Sequence, residues 1–318
     1  MQTVTNLSST NWVAVNNGVP YTAIVVTNTG RDAYFRIFIK PVSPVGTTQI
    51  PGGSFVMGDA LDGGADAIPV TATVSSYYMD LDLVTYSQWQ SVYAYATAHG
   101  YGFANAGSGK DTNHPVNNID WYDAVKWSNA RSQQAGLTPA YYTDAGLTRI
   151  YTNGESEPYV NWTVNGFRLP TEAEWEMGAR GGLAGQRFPF GDTISQSQAN
   201  YFGYPGFLSY DNGPTGNNPG IAYGEYPYTS PVGYFATNSF GLFDMCGNVS
   251  EWCWDWYFPL YSGGTNPRGP AIELSGTPRV RRGGDWNDGA ALARCAARSS
   301  DIPTTTAGTI GFRCVRAH

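Results

Sequence analysis

Two carboxylates, Asp244 and Glu251, flank the tight segment Gly241-Leu-Phe-Asp-Met-Cys-Gly-Asn-Val-Ser-Glu-Trp252. With the carbonyls of Gly247 and Val249 turned to the same point, they would supply the all-oxygen shell that Ca²⁺ prefers. The competing reading is a capped turn whose acids accept from backbone N–H groups. Other chemistries are tested by inventory. The three histidines, His99, His114 and His318, are scattered and have neither H-x3-H nor H-E-x2-H spacing, so an iron centre lacks a ligand pattern. Cys246 and Cys253 are spaced C-x6-C, which matches no common zinc pattern, and with Cys295 and Cys314 they read as reduced, buried small hydrophobes. No G-x-S-x-G elbow or phosphate loop occurs. Glu172, Glu174 and Glu176 could be acid or base groups, but their place on a capped helix reads as structural.

The elements that must position these residues are partly legible. Tyr21-Thr-Ala-Ile-Val-Val-Thr27 and Tyr34-Phe-Arg-Ile-Phe-Ile-Lys40 are rich in β-branched and aromatic residues, with turn chemistry in Asn28-Thr-Gly-Arg-Asp32 between them. They predict a small β module over residues 1–46, with Pro41-Val-Ser-Pro-Val-Gly46 as linker. A lone hairpin is marginally stable, so the module is expected to pack on the main domain or another subunit and to serve attachment or assembly. Residues 47–318 form the second region, opening with a strand in Ile50-Pro-Gly-Gly-Ser-Phe-Val-Met-Gly58.

A helix is expected from Val84 to His99, with Thr85 as N-cap and Gly100 as stop. A second begins at Asp120, with Asp123 in a capping-box-like place, and stops at Gly136. The third has the clearest signature, a Thr171-x-x-Glu174 capping box after Pro170 and a stop at Gly181-Gly182. Beyond it short strands and long loops are expected. The alternating indoles of Glu251-Trp-Cys-Trp-Asp-Trp256 fit a strand, with core packing favoured over sugar stacking.

Composition narrows the function classes. The net charge is −7, and 18 basic residues spread thinly give no electrostatic footprint for nucleic acid. No run of about 18 apolar residues exists, so membrane insertion is not expected. Met1-Gln-Thr-Val-Thr-Asn6 lacks the regions of a signal peptide, which reads as a soluble chain made in the cytoplasm.

Four motifs follow one another in a telling order: Gly166-Phe-Arg-Leu-Pro-Thr-Glu-Ala-Glu-Trp-Glu176, Gly247-Asn-Val-Ser-Glu-Trp252, Arg279-Val-Arg-Arg-Gly-Gly-Asp-Trp-Asn-Asp288 and Ile310-Gly-Phe-Arg-Cys314. Together they resemble the formylglycine-generating enzyme, or sulfatase-modifying factor, family. The resemblance implies an α+β, loop-rich variant of the C-type lectin fold behind the N-terminal β module. It implies calcium at Asp244, Gly247, Val249 and Glu251, and the start of a second calcium site at Asn200-Tyr201, where the following loop departs in length. It also implies two cysteines after the Arg-Gly-Gly motif that bind the copper which activates oxygen. Here Asp288 stands where the first would fall, and the short stretch to Arg294 holds no second. Sulfoxide-synthase relatives carry their metal histidines on a helical domain, which a β-rich N-terminus is not.

The fillers of the C-terminal frame point elsewhere. Between Arg282-Gly-Gly284, Trp286, Arg294, Arg298, Pro303 and Ile310-Gly-Phe-Arg313 lie Asp285, Asn287, Asp288, Gly289, Ala291, Ser299, Ser300, Asp301, Ile302, Thr304, Thr305, Thr306, Ala307, Gly308 and Thr309, almost all small or polar. This stretch, within residues 279–318, is similar to the variable proteins of diversity-generating retroelements, whose lectin-type domain carries hypervariable side chains on a rigid scaffold. Adenine-directed mutagenesis there yields Asn, Asp, Ser, Gly, Ala, Thr, Ile and Tyr, a set that includes most of these fillers. The competing reading is ordinary polar loops of a degenerate family member. The resemblance implies a non-enzymatic protein that binds a protein or glycan on another cell or particle, with a viral or mobile-element origin and display on a virion or cell surface. The alternatives are an oxidoreductase of the formylglycine-generating or sulfoxide-synthase type with an atypical active site, and a purely structural surface or tail protein.

Overall fold

The computed structural model describes residues 21–22, 40–41, 43–61, 67–270 and 277–318. The chain divides into two units, Met1–Val45 and Gly46–His318. In the first, β1 (Tyr21–Thr22) pairs antiparallel with β2 (Lys40–Pro41), Tyr21 opposite Pro41. The rest of the two expected N-terminal strands lies outside the described residues. Pro41, expected to open the linker, pairs in β2 instead.

The second unit begins with β3 (Thr47–Ile50), β4 (Gly53–Met57), β5 (Val70–Val74) and β6 (Tyr77–Asp80). α1 (Tyr86–Ala98), α2 (Trp121–Gln134), the short β7 (Tyr141–Tyr142) and β8 (Tyr159–Val160), and α3 (Glu172–Arg180) follow. After a long stretch of loop come β9 (Ser250–Trp256), β10 (Gly264–Thr265), β11 (Arg279–Arg282), β12 (Arg298–Asp301), β13 (Ile310–Gly311) and β14 (Val315–Ala317). The sheets run β14-β6-β3, β10-β5-β4 and β12-β11-β9-β13. In the last, β9 is antiparallel to β11 and parallel to β13, so it carries the strands on either side of the C-terminal loops.

Each helix starts where local chemistry places it. The Thr85 hydroxyl accepts from Gln88 N at 3.1 Å and Asp120 Oδ1 from Asp123 N at 2.7 Å, satisfying donors that a first turn leaves unpaired. At α3 the capping box is reciprocal: Glu174 N donates to Thr171 Oγ1 at 3.2 Å and Thr171 N to Glu174 Oε2 at 2.8 Å. Gly181 at φ 57° ends that helix in the left-handed region glycine enters freely.

The core is aromatic. Trp89 and Trp127 stack at 5.8 Å and both meet Phe312 edge-on. Every residue of β9 is buried, so the alternating indoles serve packing, with Trp254 against Trp121, Tyr141 and Trp162. Arginines are buried among them. Arg313, 0% exposed, forks onto Glu251 at 2.8 and 2.9 Å and donates to the carbonyls of Asp80, Leu81, Phe243 and Asp244. Among the described residues no helix is long and apolar enough to cross a membrane.

Arg313→Met should lower stability by about 3–5 kcal/mol, because it leaves Glu251 as an uncompensated buried charge. Combining it with Glu251→Leu should recover much of that loss in a denaturant titration, whereas additive losses would contradict a charge-pairing role.

Candidate ligand-binding face

Two loops, 283–297 between β11 and β12 and 302–309 between β12 and β13, contain most of the expected variable positions. Their backbones are held by bonds to the rest of the unit. Trp286 N donates to Asn248 O at 3.0 Å, Phe202 N to Asp288 O at 2.9 Å and Cys295 N to Arg187 O at 2.7 Å. In the second loop Trp121 N donates to Pro303 O at 2.9 Å and Asn118 N to Ala307 O at 3.0 Å, while the Trp286 indole N–H donates to Gly308 O at 3.2 Å.

The side chains behave differently. Asn287, Ile302, Thr304 and Thr306 are exposed, and Asp288, Gly289, Ala291, Ser299, Ser300, Asp301, Thr305, Ala307, Gly308 and Thr309 are half-buried. Among the described residues, the side chains of Asn287, Ser299, Ser300, Thr304, Thr305 and Thr309 have no hydrogen-bond partner in the protein. Asp301 differs in pairing with Arg281 at 2.6 Å. Asp285 is a correction to the expected surface: it is only 6% exposed, because its Oδ1 turns back to accept from Asn287 N at 2.9 Å and its carboxyl bonds that of Asp288. Burial and the neighbouring Asp288 push the Asp285 carboxyl up to about 7, and burial also raises that of Asp288; Arg281 opposes both shifts.

Aromatic neighbours extend this face and were not singled out from the sequence. Trp286 packs against Tyr226 and Tyr228 at ring distances of 5.4 and 5.5 Å, and Tyr226 is 69% exposed. Phe202, bridged to Gly289, stacks on Tyr204, which meets the exposed Phe207. They lie in a loop without periodicity, and only their aromatic density could have marked them.

The expected calcium residues do come together. Asn200 bridges to Gly247, whose φ of 72° and a Cβ position 2.1 Å from Asn200 O require glycine there. They do not form an open oxygen shell. Both Glu251 oxygens are taken by Arg313, and the Asp244 carboxylate accepts from Gly233 N at 2.8 Å. Asn200 Nδ2 donates to Tyr228 O, and the Tyr201 hydroxyl to Asp211. The positive charge nearest Glu251 is thus the Arg313 guanidinium, while the Asn200 amide N–H and the Tyr201 hydroxyl, neither of them a calcium ligand atom, are engaged by protein.

The cysteines sit in the interior rather than on the C-terminal loop surface. All four cysteines are free and buried, and burial pushes Cys295 and Cys314 up to about 12 and Cys246 and Cys253 well above the usual thiol range. The Cys246 thiol donates to Ala293 O at 3.0 Å, beneath the first loop.

Residues 39–318 match the sulfatase-modifying factor enzyme 1-like domain. The chain belongs to that family. The sulfatase-modifying factor domain here is 32% identical over 301 residues to the formylglycine-generating enzyme of Streptomyces coelicolor, covering 86% of this chain and 90% of that enzyme. It is also similar in structure to Treponema denticola variable protein 1, at a TM-score of 0.65 and 25% identity over 86% of this chain and 95% of that one. CarF matches at a TM-score of 0.63 and 28% identity, over 86% of this chain and 99% of its own. The sheet-dominated fold with few helices is thus the C-type-lectin-like fold that the motifs of this sulfatase-modifying factor domain predict.

The carboxyl pair gives this face a pH signature. In an unfolded chain an aspartate titrates near about 3.9, so the native state holds an extra proton from there up to the raised value of Asp285, and that stabilisation is lost as pH rises through it. Asp288→Asn relieves the repulsion. The fall in melting temperature between about pH 4 and 7 should be shallower in the variant than in the wild type, and identical slopes would reject the coupling.

Proposed function

We propose that this chain is the variable protein of a diversity-generating retroelement, a non-enzymatic binder that meets its ligand with the exposed and half-buried side chains among residues 287–309. The observation that carries this reading is the split within the two loops and β12 between them: main-chain atoms are tied to the scaffold, whereas six polar side chains among the described residues have no partner in the protein. Such positions accept substitution with little effect on folding, typically within about ±0.5 kcal/mol each. The similarity to Treponema denticola variable protein 1 supports the same reading. Its target is a protein or glycan on another cell or particle, engaged at a preformed face through a few anchoring side chains. The N-terminal module, residues 1–46, serves attachment or assembly.

Sequence likeness to formylglycine-generating enzymes favours a second reading, oxygen-dependent oxidation of a cysteine-containing substrate. Against it stand Asp288 after the Arg-Gly-Gly motif, where a ligating cysteine would fall, and the lack of a second cysteine in the stretch to Arg294.

Joint replacement of Asn287, Ser299, Ser300, Thr304 and Thr305 by other small polar residues should leave the denaturation midpoint nearly unchanged and alter capture of target cells or particles. Unchanged capture would reject the variable-protein reading. Metal analysis with an oxygen-consumption assay on a cysteine-containing peptide should give neither copper nor iron and no turnover; turnover with bound metal would establish the enzyme.

A further inference from the structure

A cleft of about 120 Å³ opens beside the end of β5, with Ser75, Ser76, Trp162, Arg168, Asn266 and Arg268 in its wall. None of these residues belongs to the 285–309 face. Two guanidinium groups share one indole there: the Arg268 carbon lies 4.1 Å and the Arg168 carbon 5.0 Å from the Trp162 ring centre. Arg168 is already engaged, forked onto Glu174 at 2.6 and 2.7 Å. Arg268 has no carboxylate partner among the described residues. Two guanidiniums against one carboxylate leave one positive charge unmatched. Arg268 is exposed at the rim of this cleft, where desolvation and the like charge of Arg168 lower its pKa and Glu174 opposes the shift.

The turn carrying Arg268 is fixed in advance. β10 pairs in parallel with β5, Thr265 opposite Thr73. Asn266, at φ 46°, then locks onto the strand end: its N donates to Thr73 O at 2.7 Å, its Oδ1 accepts from Ser75 N at 2.8 Å and its Nδ2 donates to Ser75 Oγ at 3.0 Å. Asparagine is one of the few side chains that enter this left-handed conformation readily. The Ser75 hydroxyl hydrogen is left to donate. The cation–π contact with Trp162, 4.1 Å from guanidinium carbon to ring centre, favours this placement of the Arg268 head group.

We propose that this cleft binds the carboxylate group of a small acidic ligand, held by the Arg268 fork over the Trp162 indole with the Ser75 hydroxyl as an additional donor. A planar fork stacked on a ring presents paired N–H groups at its edge, the geometry that matches a carboxylate two-to-two. The Arg168–Glu174 pair makes that match internally on the same indole. One unmatched charge fits a monoanion better than a phosphate dianion. The site does not rest on the variable-protein reading.

Sodium acetate titrated against sodium chloride at constant ionic strength, read by NMR on the Trp162 indole N–H and the Arg268 side-chain N–H, tests this directly. Acetate should produce a saturable shift at both groups. Arg268→Ala should weaken acetate about tenfold or more at an unchanged melting temperature, and Arg268→Lys should retain part of the affinity. A response equal to that of chloride, or undiminished affinity in Arg268→Ala, would overturn the site. Saturation by sulfate or phosphate but not by acetate would overturn its assignment to carboxylates.

Discussion

The structure depends on side-chain guanidinium groups standing in for the backbone ladders that a loop-rich chain lacks. A buried carbonyl must find a donor, and long loops have few main-chain donors to offer. Arg313 reaches four carbonyls and both oxygens of Glu251 from a fully buried position, joining the end of β6, the Phe243–Asp244 turn and β9 at one point. Arg282 does the same beneath β11, donating to the carbonyls of Cys295, Ala296 and Ala297 and pairing with Glu176 of α3. Arg279 lies over Trp121, Trp254 and Trp256 and donates to Trp254 O. Only arginine brings five donors in a rigid fork that stays charged when desolvated, which is why these frame positions are not filled by lysine.

That arrangement separates what holds the C-terminal loops from what they present. Arg282 grips the 295–297 backbone from below, while Asn287 and the threonines of 304–306 project from it. Folding therefore rests on residues inside the frame, and the outward side chains of the loops contribute little to it. On the proposed binding role, a face built in this way would be rigid before it met a ligand, so affinity would not be spent on ordering loops.

Local signals were legible in the sequence and distant ones were not. The three helix starts followed from residues within one turn of each other, because a cap satisfies its own helix. The alternation of Trp252, Trp254 and Trp256 placed a strand but could not say that β9 is buried on both faces, which depends on what packs above and below. Asp244 and Glu251 suit a calcium loop by type and spacing, yet the group facing them is Arg313, more than sixty residues away in the chain. Asp285 belongs by composition to the variable set; its inward turn follows from its bond to Asn287 N and the carboxyl of Asp288. The placing of Tyr226 and Tyr228 against Trp286, and of Trp162 beneath Arg268, has no periodic signature at all.

β3 and β14, at the two ends of the second unit, both pair antiparallel with β6. Each pairing runs for several residues along β6, so both ends of the unit are clamped to one central strand. That sheet is separate from the one carrying β11, β12 and β13, so a change of side chain on the C-terminal loops leaves the clamp that closes the unit untouched.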